Sequence, residues 1–218
     1  ALAEKISAAK KILVLGGATE SCDDVDALET EIKAWRAAGK DVVWDFRTDK
    51  DAFAAAGAQW DFLLSRDLRP NAKYLRDKNA AQLADYAAVK KEIRAADLIV
   101  IVGELAAPYA YQTGEIHANV HGLRIAEKVE DTALFDSLNS ATAWNKVALM
   151  TTHDNTAAEL AALAIPILSF PEKTGRYIDK AGNAKTTTQV LTHVQGLESP
   201  SQILARLKSA PKAAEAAV

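Results

Sequence analysis

The chain has 218 residues, of which 49% are hydrophobic and 25% are charged, and its formal net charge is −3. This length suits one α/β domain with a sizeable core, and the small net charge without a basic stripe argues against a nucleic-acid binder. Its apolar runs are much shorter than the roughly 20 residues of a membrane span, and its first residues lack the apolar core of a signal peptide.

A single cysteine, Cys22, limits the chemistry of the chain. It excludes a disulfide framework, and it excludes an iron–sulfur cluster or structural zinc held by cysteines of this chain alone. Cys22 lies where a helix is predicted to begin, so either its pKa is lowered by the helix N-terminus or it is an ordinary residue of the cap region. This cysteine usage fits a reducing, cytosol-facing compartment.

The first part of the chain predicts a β-α-β unit. After a short helix and a strand, two glycines make a tight turn into a helix capped by Ser21 or Asp23, and a second strand follows Gly39. The predicted segments are 3–10, Lys11–Leu15, Gly16-Gly17, a helix of about 17 residues and Lys40–Phe46. The turn L-G-G-A-T-E-S is open to two interpretations, a phosphate-binding loop or glycines needed only for the turn, and it is neither G-x-G-x-x-G nor a Walker A loop.

The middle of the chain contains the strand on which the sheet is centred. Ala96–Gly103 has five consecutive apolar residues and no alternation, which is typical of a parallel strand buried on both faces. Ala81–Ala95 is predicted as the helix before it, Asp49–Ala56 as a short helix, and Arg66–Asn79 as a polar, basic surface loop.

The second half predicts two further parallel strands and a hairpin. The fold class is therefore α/β, an open doubly wound, flavodoxin-like or Rossmann-like sheet of about five parallel strands in the order 2-1-3-4-5 with helices on both faces. We divide the chain into a sheet domain (1–168), a C-terminal extension with the hairpin (169–208) and a flexible tail (209–218). The predicted segments are Leu134–Trp144 (helix or wound loop), Lys146–Thr152 (strand), Thr156–Leu163 (helix), Ala164–Leu168 (strand), and Tyr177–Asp179 with Thr186–Val190 (hairpin).

Two histidine motifs are candidates for a catalytic or metal site. His117 and His121 would share one face of a helix and hold a metal, but H-A-N-V-H lacks the Glu of a zinc protease and no third ligand is evident. His153 with Asp154 would be an acid–base pair of a small enzyme, although adjacent side chains usually point apart.

The stretch Thr156–Lys185 resembles a recurring segment of the molybdopterin oxidoreductase superfamily, in which a helix leads to a Pro-ended strand, a Glu-Lys-x-Gly turn and a second glycine turn. The closest resemblance is to the large iron–sulfur subunit of respiratory NADH dehydrogenase (complex I), without its iron–sulfur region. The matching residues are Pro166, Glu172, Lys173, Gly175 and Gly182, with looser markers at Gly103, Pro108, Pro70-Asn71 and Asp77.

The chain also departs from the family's pattern. Ala162 replaces an Asp, Glu104-Leu105 replaces an Asn, and Arg176 replaces a common Thr. The chain spans about one domain, whereas active members build their metal site from several. The resemblance therefore implies that the fold is kept and the metal chemistry is lost.

From this resemblance we expect a noncatalytic structural or docking subunit of an NADH dehydrogenase-like complex, with iron–sulfur and flavin subunits as partners. It would bind no cofactor or metal itself, contact no nucleic acid, and lie in the cytoplasm or on the cytoplasmic face of the membrane through its partners, without inserting. The alternative is a module that binds molybdopterin guanine dinucleotide or another nucleotide, in which Gly103→Leu abolishes binding and spares the fold. Its pocket would be formed by Gly16, Gly17, Thr19, Gly103, Glu104, Thr151 and Thr152.

Overall fold

A computed structural model describes most of the chain, and helices and strands alternate over residues 2–47. The described residues are 1–17, 20–47, 71–80, 83, 86–103, 116–120, 123–127, 134–152, 154, 156–179, 181–192 and 195–209. The helices are α1 (Leu2–Ala8), α2 (Cys22–Ala37), α3 (Ala72–Asp77), α4 (Tyr86–Ala95), α5 (Leu134–Ser140), α6 (Thr156–Leu160) and α7 (Pro200–Ser209). The strands are β1 (Lys11–Gly17), β2 (Asp41–Arg47), β3 (Leu98–Val102), β4 (Ile116–Val120), β5 (Leu123–Glu127), β6 (Val147–Thr151), β7 (Leu163–Pro166), β8 (Gly175–Ile178) and β9 (Ala184–Thr187).

Five of these strands form one parallel sheet in the order β2-β1-β3-β6-β7. Counted along the sheet strands alone this is 2-1-3-4-5, so the predicted fold class and strand order are confirmed. β3 is the central strand, and all five of its residues are buried. An uninterrupted apolar strand is stable here because helices cover both faces of the sheet.

The two faces of the sheet carry separate cores. On one face, Val100 of β3 packs in a cluster with residues of α1, α2, α3 and α7. On the other face, Ile99 and Ile101 pack with residues of α4, α5 and α6. Alternate residues of a strand point to opposite faces, so β3 contributes to both cores.

Two antiparallel hairpins lie outside the parallel sheet. The predicted C-terminal hairpin is confirmed as β8 and β9, with slightly earlier bounds, and it packs against α2 and α3. The β4–β5 hairpin and helix α7, which packs on α2, were not predicted. Among the described residues, no helix is long and apolar enough to span a bilayer.

Three local predictions are wrong. Gly16 and Gly17 end strand β1 and do not form the tight turn, because Gly16 pairs with both Phe46 and Val102. Arg66–Asn79 is not a surface loop where it is described, because α3 buries Leu75 against the core. His117 lies in strand β4, so it cannot share a helix face with His121, which is outside the described residues.

Other predictions are confirmed in part or lie beyond the described residues. The helix before β3 begins at Tyr86, which is later than predicted. The helix after β6 ends at Leu160, which is earlier than predicted. Asp49–Ala56, residues 210–218 and the side chain of His153 lie outside the described residues.

Candidate functional site

The carboxyl ends of β1, β3 and β6 bring most of the predicted pocket residues to one edge of the sheet. Gly16 lies beside Val102, and Val102 lies beside Met150, so Gly17, Gly103 and Thr151 follow one another across adjacent strands. Thr152 continues from Thr151, while Thr19 and Glu104 lie outside the described residues. Open α/β sheets bind ligands at this edge, where the strand order reverses.

The helix that begins at this edge has a strong N-terminal cap. Ser21 is the N-cap of α2, and Asp24 is its third residue. The Asp24 amide donates to Ser21 Oγ at 3.1 Å, and the Ser21 amide donates to Asp24 Oδ2 at 3.4 Å. This reciprocal capping box satisfies donors that would otherwise be unpaired, and it places the Asp24 carboxylate at the sheet edge.

A lysine from the C-terminal extension completes a buried charge cluster. Lys173 Nζ lies 2.8 Å from Asp24 Oδ2 and 3.2 Å from Glu20 Oε2. All three side chains are at most 6% exposed. Burial raises the pKa of Asp24, but the Lys173 ammonium together with hydrogen bonds from Ser21 and Ser201 outweighs it, and the net pKa of Asp24 is lowered. Burial likewise opposes the charge on Lys173, yet Glu20 and Asp24 raise its pKa well above the ordinary value.

The Glu20 carboxylate occupies the space in front of the central strand. Gly103 has φ of +82°, and a Cβ atom there would lie 2.0 Å from Glu20 Oε1. Any side chain at Gly103 would meet both a left-handed backbone and the buried Glu20 carboxylate, which argues against the expectation that Gly103→Leu spares the fold. Gly16 is similarly constrained, with a Cβ position 2.5 Å from the Phe46 ring.

Asn71 joins this cluster to the hairpin. It is fully buried and has a left-handed backbone with φ of 66°. Its Nδ2 donates to the Glu20 carbonyl at 2.5 Å, and its Oδ1 accepts from the Ile178 amide at 2.6 Å. The Cys22 thiol also donates to Asn71 Oδ1, at 3.3 Å. One side chain thus connects the start of α2, the start of α3 and strand β8.

The environment of Cys22 differs from one interpretation made from sequence. The residue is fully buried, and burial is the main cause that raises its pKa to about 11. A thiol with a pKa lowered by the helix N-terminus is therefore excluded, and Cys22 is a packing residue of the cap region. Nearby, the Tyr177 hydroxyl is buried without a hydrogen-bond partner among the described residues, and burial raises its pKa to about 12.

The charges at the start of α2 determine what this edge can bind. Helix N-termini attract phosphate, but here Glu20, Asp23 and Asp24 already place three carboxylates around the first turn. The cation Lys173 is held by two of them and does not offer its charge to a ligand. The described part of the turn therefore disfavours a phosphate group.

Neither grouped metal ligands nor the cleft found in the described residues adds a second candidate site. In the described ranges no three His, Cys, Asp or Glu side chains are grouped as metal ligands. A shallow cleft of about 430 Å³ lies along α4 and contains none of the predicted pocket residues; it is lined by Ala87, Lys90, Lys91, Arg94 and Ala95.

The motif residues that carry the family resemblance have clear structural roles. Glu172 caps the turn that begins at Ser169, Lys173 forms the buried ion pairs, and Gly175 allows β8 to approach Ser21, with a Cβ position 2.9 Å from Ser21 Cβ. Arg176, which departs from the family's pattern, pairs with Asp26 at 3.0 Å. No protein-family model matches the chain, and no curated protein matches it.

Proposed function

We propose that the chain is a noncatalytic structural and docking subunit or domain of an NADH dehydrogenase-like redox complex, with a molybdopterin-oxidoreductase-type fold that has lost its metal centre. Its partners would be subunits that carry iron–sulfur clusters and flavin. The observation that carries the proposal is the Glu20–Asp24–Lys173 cluster, because it fills the strand-end edge with the chain's own side chains.

The ionisation of the Glu20–Asp24–Lys173 cluster supports a structural role over a catalytic one. A catalytic acid or base must exchange protons with a ligand and needs a pKa near the working pH. Lys173 and Asp24 instead have pKa values moved away from neutrality, because burial is outweighed by Glu20 and Asp24 at Lys173, and by Lys173 and nearby hydrogen bonds at Asp24. Such a pair stays ionised at neutral pH and holds the extension to the sheet domain.

The same proposal includes location and ligands. The chain would work in the cytoplasm or at the cytoplasmic face of the membrane, held there by its partners, and it would bind neither a cofactor nor nucleic acid. Its docking role is supported by the exposure of the hairpin strand β9, in which Ala184, Lys185 and Thr186 are exposed.

One observation favours the alternative, a pterin- or nucleotide-binding module. Gly16, Gly17 and Gly103 still converge at the sheet edge where such cofactors bind in related folds. Binding there would require Glu20 to leave its place against Gly103. Glu20→Ala is therefore the variant in which a covered pocket would open.

The test is a gentle affinity purification of the full chain from its native cells, analysed by mass spectrometry for proteins, small molecules and metals. We expect iron–sulfur and flavin subunits to be recovered with the chain, while molybdenum and tungsten do not follow it. Recovery of the chain alone with a stoichiometric pterin or nucleotide would overturn the proposal. Glu20→Ala sharpens the result, because a gain of bound nucleotide in this variant alone would indicate a pocket that the wild-type chain closes.

A further inference from the structure

The two edges of the β8–β9 hairpin differ in how they are used. On β8, the outward-facing amides of Arg176 and Ile178 donate to Asp23 Oδ2 at 3.0 Å and to Asn71 Oδ1 at 2.6 Å. This edge is therefore closed by side chains of the rest of the molecule. These two hydrogen bonds also fix the orientation of the hairpin against α2 and Asn71.

The other edge, on β9, is left open by the described residues. Arg176 pairs with Thr186 and Ile178 pairs with Ala184. In an antiparallel pair, residues opposite each other both face inward or both face outward. Ala184 and Thr186 therefore direct their backbone amides and carbonyls to the far side of β9, where the described part of the chain adds no third strand. An open edge of this kind is a template for another strand.

Exposed apolar side chains lie in the segments that lead into β8 and out of β9. Within the described residues, three of the four large exposed hydrophobic side chains are grouped here: Phe170 is 48% exposed, Val190 is 74% exposed and Leu191 is 54% exposed. The Pro171 carbonyl accepts hydrogen bonds from the amides of Val190 and Leu191 at 2.9 and 3.0 Å, which holds the two segments together. We call Phe170, Val190 and Leu191 the hairpin patch. Clustered exposed apolar residues mark interaction sites, whereas scattered ones do not.

We propose that a partner subunit docks by adding an extended segment to the open edge of β9, with apolar side chains over the hairpin patch and an acidic side chain opposite Lys185. This inference rests on the proposed docking function and names how its partner is held. The acidic residue follows from charge complementarity, because Lys185 is exposed and forms no salt bridge with a described residue. Backbone pairing would supply affinity, and the alternate side chains would supply specificity.

Lys185 also argues against a second copy of the chain as the occupant. The register that pairs Ala184 of one β9 with Thr186 of another uses both outward residues of each strand. That register places Lys185 directly opposite Lys185, and like charges in such a pair are destabilising. An edge lysine is a recognised means of preventing self-association.

The test uses the full chain in its native cells with a photo-cross-linking amino acid at Leu191, and a control with the same amino acid at Lys33, which is 70% exposed on α2. Cross-linked peptides are identified by mass spectrometry. We expect Leu191 to cross-link to one extended, acid-containing segment of another protein, and Lys33 not to label it.

Two substitutions distinguish backbone pairing from general adhesion. Thr186→Pro removes an outward amide that the ladder with β8 does not use, so we expect the cross-link to fall at least about tenfold while the fold is kept. Thr186→Val keeps the amide and should leave the yield unchanged. Lys185→Glu should lower it about fivefold by placing like charges opposite each other.

Three outcomes would overturn the inference. Cross-linking to a second copy of the chain would identify the wrong occupant, and an unchanged yield in Thr186→Pro would exclude strand addition. No cross-link from Leu191 would place docking elsewhere, even if redox subunits are recovered with the chain and the proposed function stands. Conversely, a segment captured at Leu191 from a protein outside any redox complex would keep the inference and refute the proposed function.

Discussion

At Gly103, both the backbone conformation and the packing of a neighbouring side chain restrict which residue can be present. Its φ of +82° is unfavourable for any residue with a Cβ atom, and the Cβ position is already occupied by Glu20 Oε1. Gly39 has the same φ of +82°, but no atom lies within 4 Å of its Cβ position. The two glycines therefore separate the cost of backbone strain from the cost of crowding.

We predict that Gly39→Ala lowers the free energy of unfolding by about 1 kcal/mol, because it adds left-handed strain alone. Gly103→Ala should cost about 1–3 kcal/mol more, because Glu20 must also move while Lys173 holds it. Urea unfolding of both variants measures the difference. Equal costs in the two variants would show that Glu20 does not occupy the space in front of Gly103.

Cys22 provides a chemical probe of the same region. Burial raises its pKa from the ordinary 9.0 to about 11, so at pH 8 the folded chain holds roughly 100-fold less thiolate than an exposed cysteine would. We predict that a thiol reagent such as DTNB labels the folded chain more than 100-fold more slowly than the urea-unfolded chain. Labelling of the folded chain within tenfold of the unfolded rate would mean that the thiol is accessible and that the cap of α2 opens.

At the scale of elements, Asn71 determines how the hairpin is attached. The Asn71 side chain bonds both the Ile178 amide and the Glu20 carbonyl, so its removal takes one hydrogen bond from each of these backbone groups. A matched control is Asn79, which has φ of 49° and is exposed. Both substitutions to alanine add the strain of a left-handed residue, and only one removes buried hydrogen bonds.

We predict that Asn71→Ala lowers the free energy of unfolding by about 2–4 kcal/mol more than Asn79→Ala does. Hydrogen exchange gives the local readout, because the Ile178 amide should lose protection in Asn71→Ala, while amides of the central strand β3 exchange as before relative to global stability. An Ile178 amide that stays as protected as β3 would mean that contacts other than Asn71 hold the hairpin.

The strand order could be predicted from the sequence, whereas the contacts of Asn71 could not, and the difference has a physical reason. The order of the sheet was predictable because continuous apolar strands and periodic helix faces are local patterns, and parallel topology allows few arrangements. The contacts of Asn71 join residues 51 and 107 positions apart, and Lys173 lies 149 positions from Asp24. No local periodicity encodes such pairs, so the turn at Glu20 was interpreted from its glycines alone. The motif Glu172-Lys173 marked the lysine but not its partners.

At the scale of the whole molecule, buried charge ties the sheet domain to its C-terminal extension. Asp24 accepts from Lys173 through one oxygen and from the Ser201 amide of α7 through the other, at 3.0 Å. The segment that carries Lys173 and helix α7 are thus both bonded to one carboxylate on α2. Helix α7 also adds Ile203 and Leu204 to the core of the sheet domain. The extension should therefore unfold together with the sheet.

This coupling predicts how stability depends on pH. The pKa of Asp24 is lower in the folded chain than in the unfolded chain, where it is about 3.9, so the unfolded state binds the proton more tightly. Its stabilisation is present above about pH 5 and is lost as the pH falls through the folded-state pKa. The pKa of Lys173 is raised, so its contribution is present below about pH 10 and is lost only as the pH rises through that raised value.

We predict that Asp24→Asn is less stable than wild type at pH 7 by about 3–5 kcal/mol, since Lys173 is left with only Glu20, and that its stability falls less steeply between about pH 5 and 2. Lys173→Met should lose a similar amount at pH 7, and its stability should also fall less steeply on the acid side, because without the ammonium the buried Asp24 no longer has a pKa held below its unfolded value by Lys173. Lys185→Met, at an exposed position of the same extension, controls for loss of a positive charge and should change neither quantity. Urea unfolding at a series of pH values measures all four chains. Parallel stability curves for wild type and Asp24→Asn on the acid side would show that another carboxylate holds the extension in place.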